Sequence, residues 1–351
     1  MTASATSDIN RLVGQLERAR KTVITTHFKP DGDAMGSSIA MYCFIRQYFK
    51  TDVRIILNDR FPSSIAFMVN AETDKDIVVY EEDPDGASLA LNDADLVICL
   101  DFNAFHRTDR LESLLRASGA FKILIDHHLN PDTEAFDLVF SVQEISSASE
   151  LLYHILKATP QCMESGLPSG SADALMTGMT TDTNNFANST YPSTLQMASE
   201  LISMGVDRDR IISEIYNRYG ENRLRLMGHI LKDLMTITED GVAYVVLDKE
   251  TLEKYSIDEG DTEGFVNIPL SIDKVRMSLL LKEDKDRVRV SIRSKKGVSA
   301  NRCSRLHFNG GGHENAAGGR LYIPEDISDI SHAAGYIERH THIFINEENE
   351  A

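Results

Sequence analysis

Over about the first 200 residues, short β-branched runs alternate with segments whose apolar residues recur at helical spacing. VITT (23–26), VRIIL (53–57), DIVVY (76–80), DLVICLD (95–101) and FKILID (121–126) read as buried strands, because they are apolar on both alternating sides. Between several of them lie MGSSIAMYCFIRQYF (35–49) and TDRLESLLRA (108–117), which have the helical period. Strand followed by helix, repeated in this way, predicts an α/β domain with a doubly wound, mainly parallel sheet.

The pattern changes after residue 194. TLQMASELISMG and RIISEIYNRYGENRLRLMGHILKDLM are helix-like with mixed charge, and Gly205 and Gly220 offer breaks. Beyond them GVAYVVLD, KVRMSLLLKE and DRVRVSIRS alternate like strands of a mixed or antiparallel sheet. The expected organisation is a first domain over 1–205, a helical linker over 206–235, a smaller α/β domain with a mixed sheet over 236–345, and a frayed acidic tail over 346–351.

Length agrees with two domains, since 351 residues exceed what one hydrophobic core usually serves. With 42% hydrophobic and 26% charged residues, the chain can bury a sizeable core. No apolar run reaches the roughly 18 residues of a membrane span. MTASATSDINRL lacks the basic-then-apolar order of a signal peptide, so the chain is read as cytoplasmic. Cys43, Cys99, Cys162 and Cys303 show no CxxC spacing, which argues against a zinc ribbon or a disulfide framework. A formal net charge of -18 disfavours long duplex DNA and anionic membrane as partners, although a local basic patch or bound cations can reverse the sign at a site.

The chemistry gathers where strands end. His27, Asp31 and Asp33 follow VITT, Asp101 closes DLVICLD, and Asp126, His127 and His128 close FKILID; Asp182 follows a helical stretch. Carboxyl ends of strands form the ligand-binding edge of an open α/β sheet, so these groups are expected to converge. Taken alone, each aspartate reads first as a cap or an Asx-turn residue and each histidine as structural. Together, at the ends of apolar strands, they would repel and suffer desolvation unless a cation balanced them. Carboxylates with one or two imidazoles suit Mn²⁺ or a similar ion better than a thiolate-type zinc site, and the supply of carboxylates exceeds one coordination sphere. A pair of ions is the usual device for attacking a phosphate ester. Pro30 and Gly32 would supply a fixed φ and a permissive one, turning nearby carboxylates toward different ions.

HFKPDGDAMGS, the aspartate of LDFNAFHR, the triplet DHH at 126–128 and TTDT around Asp182 resemble, in order, the four motifs of the DHH phosphoesterase superfamily. FNGGGHENAAGG (308–319) resembles the glycine-rich signature of its DHHA1 domain. The resemblance implies two Mn²⁺ ions, with Mg²⁺ or Co²⁺ as substitutes. One would take His27, Asp31 and Asp101; the other would take Asp33, Asp101, His127 and Asp182, so that Asp101 bridges. His128 would face the substrate phosphate as donor or acid, and Asp126 would orient the pair, a role open beside that of a strand-end cap. Where family members often have glycine after the DT of the fourth motif, this chain has Asn184, which tolerates positive φ.

In DRVRVSIRS, alternation places Arg287, Arg289, Ser291 and Arg293 on one face, with Asp286 the single acid between Lys285 and Arg305. Such a stretch is either a solvated face or a phosphate-facing one. Gly310, Gly311 and Gly312 offer backbone amides without side-chain obstruction, and His313 adds a donor or a stacking ring; a tight turn is the plainer reading. The resemblance favours binding, in a cleft where Arg293, Ser291, Gly310–Gly312 and His313 hold the substrate. EGFVNIPLSI (263–272) also resembles a family segment, for packing or interdomain contact.

Similarity to the nano-RNase branch implies hydrolysis of short oligoribonucleotides to mononucleotides, and of 3′-phosphoadenosine 5′-phosphate to AMP, by a hydroxide activated between two metals. Phosphodiesterases for cyclic dinucleotides or their linear products share the motifs and size, and a non-catalytic nucleotide sensor on the same scaffold is the alternative of another class. The expected partners are short RNA oligonucleotides or small nucleotides, and a homodimer stays open.

Overall fold

In the computed structural model, which describes residues 3–350 apart from 219, 258, 259, 285 and 286, each of the five β-branched runs forms a strand. The chain begins with α1 (Ala3–Arg18) and β1 (Lys21–Thr25), then α2 (Gly32–Tyr48), β2 (Asp52–Leu57), α3 (Ala71–Lys75), β3 (Ile77–Val79) and α4 (Pro84–Asp93). It continues through β4 (Leu96–Leu100), α5 (Glu112–Ala117), β5 (Phe121–Asp126) and β6 (Leu138–Ser141). The last of these was not expected: LVFS is four residues long and only Leu138 is fully buried, too little to show a period. Helices α6 (Ala148–Lys157), α7 (Pro160–Ser165), α8 (Ser171–Asp182), α9 (Pro192–Ser203) and α10 (Arg208–Tyr216) follow.

All neighbouring strands pair in parallel, in the order β3-β2-β1-β4-β5-β6. Alternate residues face opposite layers. Ile24, Ile55, Ile98 and Ile123 pack with residues of α2, α6 and α8, whereas Val23, Ile56, Val97 and Leu124 pack with residues of α4 and α5. Each such side chain, fully buried, contributes roughly 1.5–3 kcal/mol. Covering both faces explains why the strands read as continuous apolar runs.

The chain divides between residues 218 and 219. Residues 206–235, expected as a linker, are therefore shared between the two units. Ile211 and Ile215 of α10 join the first core, while Leu226 of α11 (Glu221–His229) joins a core of the second unit. Apolar spacing on each helix decides this.

The second unit continues with β7 (Thr236–Ile237), β8 (Val242–Leu247), α12 (Lys249–Lys254), β9 (Met277–Glu283), β10 (Arg287–Ser294), α13 (Ala300–His307), β11 (Gly311–His313), β12 (Ala316–Tyr322) and α14 (Ala333–Glu350). Its sheet has the order β11-β12-β10-β9-β8-β7 and is mixed, with β8 and β9 parallel and the other pairs antiparallel. In β10, Val288, Val290 and Ile292 are buried while Arg287, Arg289, Ser291 and Arg293 face the other way, half-buried. Segment 263–272 packs within this unit: Phe265 and Val266 are buried, and the Arg223 guanidinium lies 4.5 Å from the Phe265 ring centroid. The expected frayed tail instead continues α14 through Glu350, and Arg302 pairs with Glu348 and, at 3.7 Å, with Glu347. Lys285 and Asp286 lie outside the described residues; Asp284 pairs with Arg289 at 2.9 Å and with Arg287 at 3.9 Å. Among the described residues no helix is long and apolar enough to cross a membrane.

Candidate metal centre

Strand order in the first unit reverses between β1 and β4, and ligands bind outside the carboxyl ends of strands at such a switch point. His27 lies two residues past β1 and Asp101 one past β4; Asp126 ends β5, with His127 and His128 next. Asp182 does not follow a helix but is the last residue of α8. His27 Nε2 is 3.5 Å from Asp101 Oδ2 and 3.8 Å from Asp31 Oδ1. His127 Nε2 is 3.4 Å from Asp101 Oδ1, 3.5 Å from Asp182 Oδ2 and 4.0 Å from Asp33 Oδ2. His128 Nδ1 is 3.7 Å from Asp101 Oδ1. Among the described residues, three groups thus have ligand atoms close enough to share an ion: His27 with Asp31 and Asp101, Asp33 with His127 and Asp182, and Asp101 with His127 and His128.

Local structure aims these atoms. Asp101 takes a left-handed φ of 61°, a conformation that costs a non-glycine residue energy and clusters at functional sites. His27 Nδ1 lies 2.8 Å from the Phe28 carbonyl, to which it donates, and this fixes the ring so that Nε2 is the nitrogen turned to the carboxylates. Asp31 caps α2 by accepting from the Asp33 and Ala34 amides through Oδ1. Asp33, buried in the first turn of α2, accepts from the amides of Ala148 at 2.7 Å and Ser149 at 2.9 Å, the first two of α6. Each carboxylate oxygen has a second lone pair, so this seat orients Asp33 and still leaves it able to bind a cation. Asp126, fully buried, accepts from the His128 amide at 3.1 Å and holds His128 Nδ1 at 2.7 Å.

Asp33 and Asp182 meet because α2 and α8 cross closely. A Cβ at Gly36 would lie 2.5 Å from the Ala174 carbonyl oxygen, and one at Gly32 would lie 2.3 Å from Thr181 Oγ1. Gly32 therefore serves close approach, not a permissive φ; the left-handed residue of this turn is Lys29, at 53°. Asn184, after Asp182, adopts the positive φ expected of it, 45°.

Electrostatically the cluster is short of positive charge. Burial pushes the Asp33 carboxyl well up, and the charges of Asp101 and Asp182 add to this. Desolvation likewise raises Asp182, helped by Asp101 and Asp31 against the opposing pull of His127. Burial alone would depress the His27 and His127 imidazoliums, but the carboxylates around them outweigh it and raise both. Asp101 is the reverse case, its burial overcome by the two histidines, which hold it well below the usual carboxylate range. Even so, Asp101 Oδ1 is buried without a hydrogen-bond partner. Such an oxygen among imidazole nitrogens and carboxylates fits a divalent cation of the hard to borderline kind.

The other candidate residues belong to the second unit. Cross-strand register sets Ser291 beside Gly318 and Gly318 beside Gly311, and Arg293 beside Ala316 and Ala316 beside His313. The His313 side chain lies outside the described residues. Burial lowers the Arg293 guanidinium from its usual value against the opposing charge of Glu263, and its Nη1 donates to the Ile292 carbonyl at 2.9 Å. Of the glycine amides expected to meet phosphate, Gly310 bonds to the Ser304 carbonyl and Gly312 to Asn301 Oδ1, both within the unit, and Gly311 lies in the β11–β12 ladder opposite Gly318. A Cβ at Gly310 would lie 2.0 Å from the Gly318 carbonyl oxygen, so that position is glycine for packing.

Sequence reasoning missed the α6 amides that seat Asp33. The available signal was S-x-x-E at Ser147 and Glu150, a helix-start signature whose first amides need acceptors.

Residues 21–179 match the DHH family, N-terminal domain, and residues 239–337 match the DHHA1 domain. The chain belongs to the DHH family of phosphoesterases, metal-dependent hydrolases, and is an enzyme of that class. It is similar to the bifunctional oligoribonuclease and PAP phosphatase NrnA of Thermus thermophilus, with 30% identity covering 89% of this chain and 88% of that protein. NrnA of Bacillus subtilis is 28% identical, covering 88% of this chain and 91% of the relative. Among solved structures, an exopolyphosphatase-related protein from Bacteroides fragilis is 37% identical, with a TM-score of 0.91 over 99% of this chain and 100% of that one.

Proposed function

We propose that this protein is a cytoplasmic phosphoesterase, dependent on two Mn²⁺ ions, that hydrolyses short oligoribonucleotides to mononucleotides and 3′-phosphoadenosine 5′-phosphate to AMP. The observation that carries the reading is the two-sided disposition of Asp101, with Oδ2 toward His27 Nε2 and Oδ1 toward His127 Nε2. In this reading His27, Asp31 and Asp101 hold one ion, and Asp33, Asp101, His127 and Asp182 the other; Mg²⁺ or Co²⁺ substitutes. Bound divalent cations supply activation of water and neutralisation of phosphate charge.

The remaining chemistry belongs to side chains. Asp126 fixes the His128 ring and favours the tautomer with the proton on Nδ1, so Nε2 is the nitrogen that meets substrate. When protonated there, His128 donates to a phosphate oxygen as negative charge builds. Arg293, Ser291, Gly311 and His313 contact the nucleotide, while Gly310 and Gly312 let β11 lie close to β12. NrnA of both relatives is named for these two activities, which supports the substrate choice.

A substrate panel tests the reading: 3′-phosphoadenosine 5′-phosphate, linear diadenylate, a cyclic dinucleotide, a five-nucleotide RNA and a long single strand, each with Mn²⁺ and product analysis. AMP from the first and mononucleotides from the short RNA are expected. Preference for the cyclic substrate overturns the assignment in favour of a cyclic-dinucleotide phosphodiesterase, and Mn²⁺ binding without turnover of any substrate overturns it in favour of a sensor.

A further inference from the structure

Glu150 is a fully buried carboxylate to which the chemistry above gives no part. It lies in the first turn of α6, three residues after the helix cap Ser147, whose Oγ accepts from the Glu150 amide at 3.0 Å. In the usual reciprocal cap the glutamate reaches back to the cap residue's own amide. Here Oε2 goes one residue further and accepts from the Ser146 amide at 3.1 Å, the Ser146 hydroxyl, and Thr194 Oγ1 at 2.6 Å. Thr194 Oγ1 in turn accepts from the Tyr191 amide at 3.1 Å and so fixes the start of α9.

The two amides between Ser147 and Glu150 are the seat of Asp33. Glu150 thus clamps the chain on one side of the α6 terminus while Asp33 occupies the other. The start of α9, on the same oxygen, is where the segment leaving Asp182 ends. Three donors converging on one oxygen call for a full negative charge, since hydrogen bonds to an ionised acceptor are about twice as strong as neutral ones. Stability alone gives a weak reason to keep a charge there, because a buried ion is costly to desolvate and a neutral amide of the same shape can cap a helix.

We infer that Glu150 is a positioning residue for the Asp33 side of the metal centre, fixing the α6 amides that orient Asp33 and the start of α9 beyond Asp182. The inference rests on the two-cation reading of the site. Its test is a Mn²⁺ titration of the metal-stripped full chain, followed by electron paramagnetic resonance without substrate, for the wild type and Glu150→Gln. The wild type holds two ions; the variant keeps one and binds the other about 10–100-fold more weakly, the usual loss when a ligand's supporting contact is removed. In turnover, kcat falls while KM holds, and raised Mn²⁺ restores kcat. Thr194→Val, which removes one donor and leaves the carboxylate, shows a smaller loss at the same site and carries the test should Glu150→Gln not fold. Wild-type affinity for both ions in a folded variant, with only a lower melting temperature, overturns the positioning role alone. A wild-type chain that holds a single ion overturns the two-cation reading and this inference with it.

Discussion

Asp101→Asn removes turnover and loosens both cations at once. Asparagine keeps the size of the side chain but replaces one oxygen with an NH₂ that cannot ligate, and it removes the charge that faces His27 and His127 together. Charge stabilisation of several kcal/mol is at stake, and a loss of roughly 4 kcal/mol corresponds to about 10³-fold in rate. Folding is little affected, because asparagine also tolerates the left-handed φ at this position. Calorimetric Mn²⁺ binding beside a rate assay checks this. Weakening of one ion with the other untouched contradicts the bridge, as does near-normal turnover.

Asp126→Asn has a different signature. Asp126 reaches the metal cluster through His128, whose Nδ1 and amide it holds at 2.7 and 3.1 Å. An uncharged amide there no longer favours the doubly protonated ring, the form in which Nδ1 is held and Nε2 donates. A proton-donating side chain typically supplies about 10²- to 10⁴-fold, so kcat falls into that range while Mn²⁺ affinity and KM hold. If Asp126 acts through His128, the double variant Asp126→Asn/His128→Ala is no slower than His128→Ala. Additive losses, or a matching loss of metal, contradict the assignment.

Much of the site was legible because its residues sit at the ends of apolar runs. His27, Asp101 and Asp126–His128 stand where β1, β4 and β5 leave the sheet, and desolvation at that edge makes charge conspicuous in sequence. Period-two alternation also separated the two faces of β10 correctly. What escaped depends on contacts distant in the chain. Nothing near Asp33 announces that Ala148 and Ser149 hold its carboxylate, and Gly32 looks like a turn residue until α8 is set against it. The glycines at 310 and 312 advertise open backbone, yet their amides bond to Ser304 and Asn301. The division at 218/219 falls inside the expected linker, and Ile211 and Ile215, interleaved with charges on α10, place that helix in the first core.

The central claim is a pair of cations joined through Asp101. Titration of metal-free protein with Mn²⁺, read by electron paramagnetic resonance, tests it most directly. Ions roughly 3.5–4 Å apart, the spacing of two-metal phosphoesterase sites, interact magnetically. Two ions per chain and a coupled spectrum are expected, reduced to uncoupled Mn²⁺ signals by Asp101→Asn; a single ion per chain, or two that stay magnetically independent in the wild type, would rule out the Asp101 bridge.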